Sequence, residues 1–394
     1  MLPLSGLRII AVEQYGAGPF GSMALGDLGA EVIKIENPAE GGDVSRSVGP
    51  HFFPDGDSHF FQAFNRNKKS LTLNLKHPQA TAVLHRLVRR ADATYDNLRG
   101  DQAEKLRLTY ADLREVNPRI VCAHLSAYGR TGSRKSWPGY DYLMQAEAGY
   151  LALTGEPDGP PSRFGLSIVD LMTGLNAAFA LVSGVLSARA TGQGRDIDVN
   201  LFDTALQNLC YLAVWYLNAG INQGREPRSS HPSLTPSQLY RTRDGFIFIM
   251  CNKEKFWPEL CRAIGKPDWS ARPDYKDFKA RLANRARLTE ELDAVLSTRT
   301  TAEWIEAFGG RVPAAPVNDV RAALENPFVT EGGRVRTVDH PSGPIRLLAP
   351  PVTCPGEDLP CAAAPALGAD TDAVLAEAGF TAAEIAELRR SGAV

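Results

Sequence analysis

The chain has 394 residues, long enough for two or three domains that each bury a core. Hydrophobic residues make up 44%, charged residues 22%, and the net charge is −2, so there is no basic footprint for nucleic acid or acidic lipid. The six cysteines (Cys122, Cys210, Cys251, Cys261, Cys354 and Cys361) have neither metal-ligand spacing nor a disulfide framework. No stretch approaches a transmembrane span, and the first residues lack a signal peptide's regions, so a reduced, metal-free, cytoplasmic protein with no membrane partner is expected.

In chain order, Arg8 to Val12 predicts a buried strand, Pro19 to Leu28 a short helix stopped at Gly29, and Glu31 to Glu36 a second strand. Helices are expected over Pro78 to Arg90 and Tyr110 to Val116, with strands over Ala93 to Asn97 and Arg119 to Leu125. Strands and helices alternating at this spacing predict an α/β fold, with a parallel sheet covered on both faces.

Asp170 is a lone carboxylate in the apolar run from Leu166 to Leu171. Leu171 to Ala190 then reads as one long helix, ended where Thr191-Gly192-Gln193-Gly194 lets a glycine turn left-handed. A carboxylate at a helix start accepts backbone N–H bonds, feels the positive dipole end and stays ionised. Held beside apolar walls, it suits attack on an activated acyl group. A plain N-cap with no chemistry is the other reading of this segment.

After about residue 222 the character changes. Gln223 to Pro232 reads as a polar linker. Ser237 to Tyr240 and Gly245 to Met250 read as paired strands around a turn at Thr242 to Gly245. Helices are expected over Phe256 to Ile264, Leu282 to Leu296 and Thr301 to Phe308, forming a smaller α+β domain that ends near Pro327. Thr381-Ala382-Ala383-Glu384 is a capping box opening a last helix through Arg390.

Gly16-Ala17-Gly18-Pro19-Phe20-Gly21 matches G-x-G-x-x-G between a strand and a helix, with Glu36 where a dinucleotide fold places its ribose acid. An NAD-dependent oxidoreductase is therefore an alternative reading. Against it, Glu36 leads into an acid-rich loop, and no hydride-transfer acid–base pair stands out.

Taken together, several segments resemble the family III CoA transferases. They are Gly18-Pro19, Leu28 to Glu36, Gly42-Asp43 with Arg46, Asn65 to Ser70, Ala91-Asp92 leading to Asn97-Leu98-Arg99, and Ser126 to Gly129. Asp170, Thr191 to Gly194 and Leu367-Gly368 complete the match, which runs in order over nearly the whole chain. The resemblance implies a Rossmann-like large domain over residues 1–225 plus 328–394, an inserted small domain over 226–327, and an interlocked ring-like homodimer. It implies no permanently bound cofactor, with coenzyme A and acyl-CoA as substrates.

By the same resemblance Asp170 attacks the acyl-CoA thioester, and an aspartyl-CoA thioester forms in turn. The backbone at Gly16 and Ala17 stabilises the oxyanions, and Leu73, Lys76, Asn97, Leu98, Arg99 and Lys105 contact CoA. Tyr140 and Asp141 meet the pantetheine arm. Gln14, Arg46 and Arg66 are candidates to hold the acid substrate, although either arginine equally suits a structural ion pair. Racemases of this family pair the aspartate with a histidine where Tyr140 stands here, so a racemase is the second alternative. Members that handle oxalate carry a glutamine at Gly16 and a tetraglycine loop that is missing from this sequence. The expected activity is CoA transfer from an acyl-CoA, succinyl-CoA foremost, to a short-chain carboxylic or dicarboxylic acid or a sulfinate analogue.

Overall fold

The computed structural model describes residues 1–394, which divide into two compact units. The first comprises Met1–Gly149, Phe164–Asn218 and Glu331–Val394; the second comprises Tyr150–Arg163 and Ala219–Thr330. The insert is thus wider than residues 226–327. It recruits the Tyr150–Arg163 segment because Arg225 donates to the carbonyls of Glu156, Gly159 and Pro160.

The first unit is built on six strands: β1 Arg8–Val12, β2 Glu31–Glu36, β3 Lys68–Thr72, β4 Ala93–Asp96, β5 Val121–Ser126 and β6 Arg195–Asn200. All pairings are parallel, in the order β3-β2-β1-β4-β5-β6, a Rossmann-like α/β sheet. Ile10 pairs with Ile33 on one side and Thr94 on the other. Ile9, Ile10, Val32, Ile33 and Val121 are buried because helices cover both sheet faces, which is why these strands read as unbroken apolar runs.

Helix α1 (Ala17–Asp27) follows β1, and α2 (His59–Asn65) precedes β3. The helix α3 (Ala80–Val88) shares a core with the chain's C-terminal segment: Leu84, Leu87 and Val88 cluster with Val374, Leu375, Ile385 and Leu388. The Thr381 capping box is formed, and its helix runs from Ala382 to Arg390.

A further helix, which we call α4, runs from Ile168 to Thr191 and starts three residues earlier than expected; Gly192 ends it at φ 77°. It corrects the expectation that no segment has transmembrane length, since its 24 residues have a window of mean hydropathy 1.6. Half of that window is buried, against α1, β5 and β6. Small residues permit this packing. A methyl group added to Gly174 would lie 2.3 Å from the Ala17 carbonyl oxygen, and one on Gly21 2.3 Å from the Gly174 carbonyl oxygen. The last glycine of the G-x-G-x-x-G motif therefore serves backbone contact between α1 and α4.

In the second unit, Ser237–Arg241, Phe246–Met250 and Ala314–Pro316 form an antiparallel sheet. Its core joins Tyr240, Ile247 and Trp257 to Leu288, Leu292 and Trp304. The helix expected over Leu282 to Leu296 is two, Phe278–Ala283 and Arg285–Leu296, broken at Asn284. The expected polar linker is pinned rather than loose: Arg228 pairs with Asp293 at 2.7 Å and Glu226 with Arg285 at 2.9 Å.

Gly174→Ala should force α1 and α4 apart, costing about 1–3 kcal/mol by overpacking. Chemical denaturation should show this as a lower midpoint at unchanged slope; an unchanged midpoint would refute the close-contact role.

Candidate active site

Strand order reverses between β1 and β4, so the chain opens a crevice at their carboxyl ends, where α/β sheets hold ligands. Two loops meet there. The Asn97 side chain clamps both: its Nδ2 donates to the Gln14 carbonyl at 2.7 Å, and its Oδ1 accepts from the Gln14 amide at 2.9 Å. Tyr15 then takes a left-handed φ of 70°, an uncommon state for a bulky residue that its surroundings must impose. Asp43 Oδ1 imposes it by accepting the Tyr15 amide at 3.0 Å.

Asp43 belongs to a fully buried group of four charges. Lys34 Nζ lies 2.8 Å from Asp43 Oδ2 and donates to the Glu13 carbonyl at 2.9 Å. Lys68 Nζ lies 2.7 Å from Glu13 Oε1, and all four side chains have 0% exposure. Lys68 also donates to the Pro19 carbonyl and Asn65 Oδ1, and Ser22 Oγ donates to Glu13. Burial lowers the Lys68 pKa to about 8, with Glu13 opposing the shift. For Asp43, burial pushes upward but Lys34 overcomes it, and the pKa ends below the ordinary carboxylate range.

The loop delivers Gly16 to the start of α1. The amides of Gly16, Ala17 and Gly18 have no acceptor within the chain, as expected of a first helical turn. They form a donor cluster beside Asp170, since a methyl group on Gly16 would stand 2.9 Å from Asp170 Oδ2.

Asp170 is not an N-cap. Ser167 precedes the helix, and Asp170 sits in its first turn with no hydrogen bond to its carboxylate. Its own amide donates to Asp141 Oδ2 at 2.9 Å. Asp141 also accepts from Gln145 Nε2, whose amide group bonds Leu166 and Phe164 and fixes the entry to α4. The expectation of a fully ionised Asp170 is corrected as well. Burial, then the nearby Asp141 charge, raises its pKa to about 7. The dipole argument fails because desolvation outweighs it where no N–H reaches the carboxylate.

Three cavities adjoin along this crevice through shared lining residues. One of about 290 Å³ holds Asp170, Asp141, Gly16 and Tyr140 among aromatic side chains. A second, of about 400 Å³, shares Tyr15, Gly16, Tyr140 and Asp170 and runs past Ala17, Asn97, Leu98 and Arg99. A third, of about 220 Å³, shares Gln14, Leu98 and Gln102 with the second and is lined by Ile35, Leu73, Leu75, Leu106 and Lys76. No histidine lines any of them.

Most residues expected at the site therefore line one connected path. Lys105 does not. It is exposed and paired with Asp101 at 2.6 Å, the residue that also holds Arg99. Lys76 is exposed at the mouth, 3.8 Å from Glu40.

The two arginines offered as substrate clamps are structural. Arg46 Nε and Nη2 engage both Glu36 oxygens at 2.8 and 2.7 Å, with the guanidinium over Phe61. Arg66 forms the same fork with Asp27 at 2.8 and 2.5 Å. Glu36 also accepts from the Asp43 amide and Ser70 Oγ, so it has no capacity left for a ribose, which removes the support for the NAD reading.

A Rossmann-like sheet thus carries a buried carboxylate against a helix N-terminus, at the end of a long cleft, an arrangement suited to acyl chemistry. The comparisons with known proteins make this specific: residues 4–371 match the model for CoA-transferase family III, and the chain belongs to that family. It is 34% identical to mouse succinyl-CoA:glutarate CoA-transferase over 354 residues, 89% of this chain and 80% of that one. It is also 34% identical to succinyl-CoA:mesaconate CoA-transferase of Haloarcula hispanica, covering 86% of each. Among solved structures, a CAIB/BAIF family protein from Brucella suis superposes with TM-score 0.83 at 31% identity, covering 96% of this chain and 99% of that one. The chain is thus a CoA transferase.

Two predictions follow from the site's electrostatics. If ionised Asp170 is the reacting form, kcat/KM should fall as pH drops through about 7. Asp141→Asn removes the smaller cause of that shift, so the acid limb should move down yet stay above the ordinary carboxylate value; a limb fixed in place would refute the coupling. Separately, Lys34→Met leaves Asp43 without its counter-charge and should cost about 3–5 kcal/mol in a denaturant titration.

Proposed function

We propose that this CoA transferase works through Asp170 as a covalent nucleophile, moving CoA from an acyl-CoA to a free carboxylic acid. An Asp170 oxygen attacks the thioester carbonyl, the C–S bond breaks, and CoA leaves as thiolate, giving an acyl-aspartyl anhydride. The thiolate then attacks the aspartyl carbonyl, releasing the first acid and forming an aspartyl-CoA thioester. An incoming carboxylate displaces thiolate again, and the returning thiolate takes the new acyl group and frees Asp170. Every bond made is matched by one broken, with no net proton transfer.

The observation that carries this reading is the buried, unbonded Asp170 carboxylate facing the open amides of Gly16 and Ala17. Those amides are suited to the oxyanion of each tetrahedral intermediate. The cavity at Ile35, Leu73 and Leu98, which Asn37, Glu40 and Asn74 also line, suits an adenine with its ring on the apolar side chains. The middle cavity suits the pantetheine arm, and Arg99 and Lys76, which line the second and third cavities respectively, suit the phosphates. With Tyr140 in place of a histidine, a two-base racemase lacks its second base.

Names of the relatives favour succinyl-CoA as donor and a dicarboxylic acid as acceptor; the reading extends to other short-chain carboxylic acids or a sulfinate analogue. The same reading takes the protein as a cytoplasmic, interlocked homodimer. Incubation with acyl-CoA and hydroxylamine should inactivate the enzyme and convert Asp170 to its hydroxamate, detectable by peptide mass spectrometry. Asp170→Ala should lose at least ~10³-fold in kcat, as expected when a nucleophile is removed; near-wild-type transfer by that variant would end this reading.

A further inference from the structure

A second charged group lies on the β4–β6 side of the crevice, and the chemistry proposed above does not use it. His124, on β5, has a side chain only 1% exposed. Its Nδ1 stands 2.6 Å from Asp96 Oδ2 on β4, and its Nε2 stands 3.0 Å from Asp196 Oδ1 on β6. Arg130, in the loop after β5, forks onto Asp198 and reaches Asp196 at 3.6 Å. Three neighbouring strands are thus tied by carboxylates that alternate with cations. A neutral imidazole has one N–H and one lone pair, and here the lone pair would face a carboxylate. The geometry therefore calls for the imidazolium, which donates to both partners. Burial pushes the His124 pKa down, but the bonds to Asp196 and Asp96 overcome this and the opposing charge of Arg130, raising it to about 9.

What the bridge holds is the start of a loop. Asp96 ends β4, its Oδ1 accepts the Leu98 amide at 3.4 Å, and the intervening Asn97 clamps Gln14. Leu98 and Gln102 line both the second and the third cavity, and Arg99 lines the second. A side chain on Gly100 would strike the Gly129 carbonyl, so this loop rests against the one that carries Arg130. The Gly16 amides depend less on this side, because Asp43 holds the Tyr15 amide from the other.

Resting on the placement of CoA along these cavities, we propose that His124 is a positioning residue for acyl-CoA. By bridging Asp96 and Asp196 it fixes the 97–102 loop against which CoA binds.

The test uses the full-length enzyme with succinyl-CoA and two substitutions that divide the bridge. An asparagine amide nitrogen takes the place of Nδ1, and a glutamine amide nitrogen that of Nε2. His124→Asn therefore keeps the donor to Asp96, whereas His124→Gln loses it and keeps the one to Asp196. The glutamine variant should raise the acyl-CoA KM about tenfold or more with kcat within about threefold, and the asparagine variant should raise KM clearly less. An unchanged KM in His124→Gln, or equal effects of the two variants, would overturn the role. In the wild type, nitrogen-15 spectra of the seven histidines should show one ring protonated at both nitrogens at about pH 8, where an ordinary imidazole is neutral. The acyl-CoA KM should then climb as that ring loses its proton through about 9. A KM flat through that titration, or no such ring, overturns the proposal even if neither variant folds. Arg99→Glu separates the CoA placement from the bridge. An unchanged acyl-CoA KM there would refute the placement, whereas a raised KM there beside an unaffected His124→Gln would refute the role of His124 alone.

Discussion

Glu13, Lys34, Asp43 and Lys68 hold two positive and two negative charges entirely out of water. Desolvating four ions is costly, and such groups persist where partners and hydrogen bonds are complete enough to compensate. Here the compensation is also what shapes the site. Lys34 reaches the Glu13 carbonyl, Asp43 takes the Tyr15 amide, and Lys68 reaches the Pro19 carbonyl. Three backbone points on either side of Gly16 are thereby fixed by charges that cannot shift without losing a partner. The left-handed Tyr15 is held by these bonds, and Asn97 ties the same loop to the end of β4.

A second constraint comes from what is missing. Gly21 and Gly174 let two helix backbones approach at distances no Cβ would allow, and Gly16 leaves the space in front of the Asp170 carboxylate empty. Close helix packing brings the first turn of α1 and the first turn of α4 to one spot, so open amides and carboxylate face a shared cavity. Charge cluster and glycine contacts thus act on the same few residues from opposite sides. The cluster sets the loop's course, and the glycines set its distance from Asp170.

Much of this frame was legible in the sequence. Apolar runs such as Ile9-Ile10-Ala11 and Val32-Ile33 announced inner strands, and the chain-long resemblance singled out Asp170 among its 45 acidic residues. Two strands were not announced. Lys68-Lys69-Ser70 looks like a solvated stretch, because nothing local reveals that Lys68 is paired with Glu13 from another strand's end. Arg195-Asp196-Ile197-Asp198 hides an edge strand whose charges pair with His124 and Arg130 on its neighbour's side. The roles of Arg46 and Arg66 were equally non-local: a guanidinium's partner 10 or 39 positions away decides whether it meets substrate or holds the fold. Sequence also pointed the wrong way on the charge of Asp170, because helix position predicts a dipole but not burial.

That burial bears on the chemistry. Transfer from a thioester to an ordinary carboxylate is uphill, since the carboxylate, with a reference pKa near 4, is a far weaker base than a departing thiolate, near 8.5 for a simple thiol. Burial beside Asp141 raises the Asp170 pKa from 3.8 to about 7. The shift corresponds to roughly 4 kcal/mol of destabilisation of the anion relative to its neutral forms. On the covalent reading proposed above, an anhydride at Asp170 would be neutral, so it would relieve that penalty while the charge passes to the thiolate, and the gap between attacking and leaving groups would narrow. The opposite step, in which Asp170 leaves as the anion, gives up the same amount, so the two directions approach balance, because a carboxyl and a thiol of similar basicity exchange an acyl group with little preference for either side. A reversible exchange between acids requires that balance, and a solvated or well-capped aspartate would not provide it.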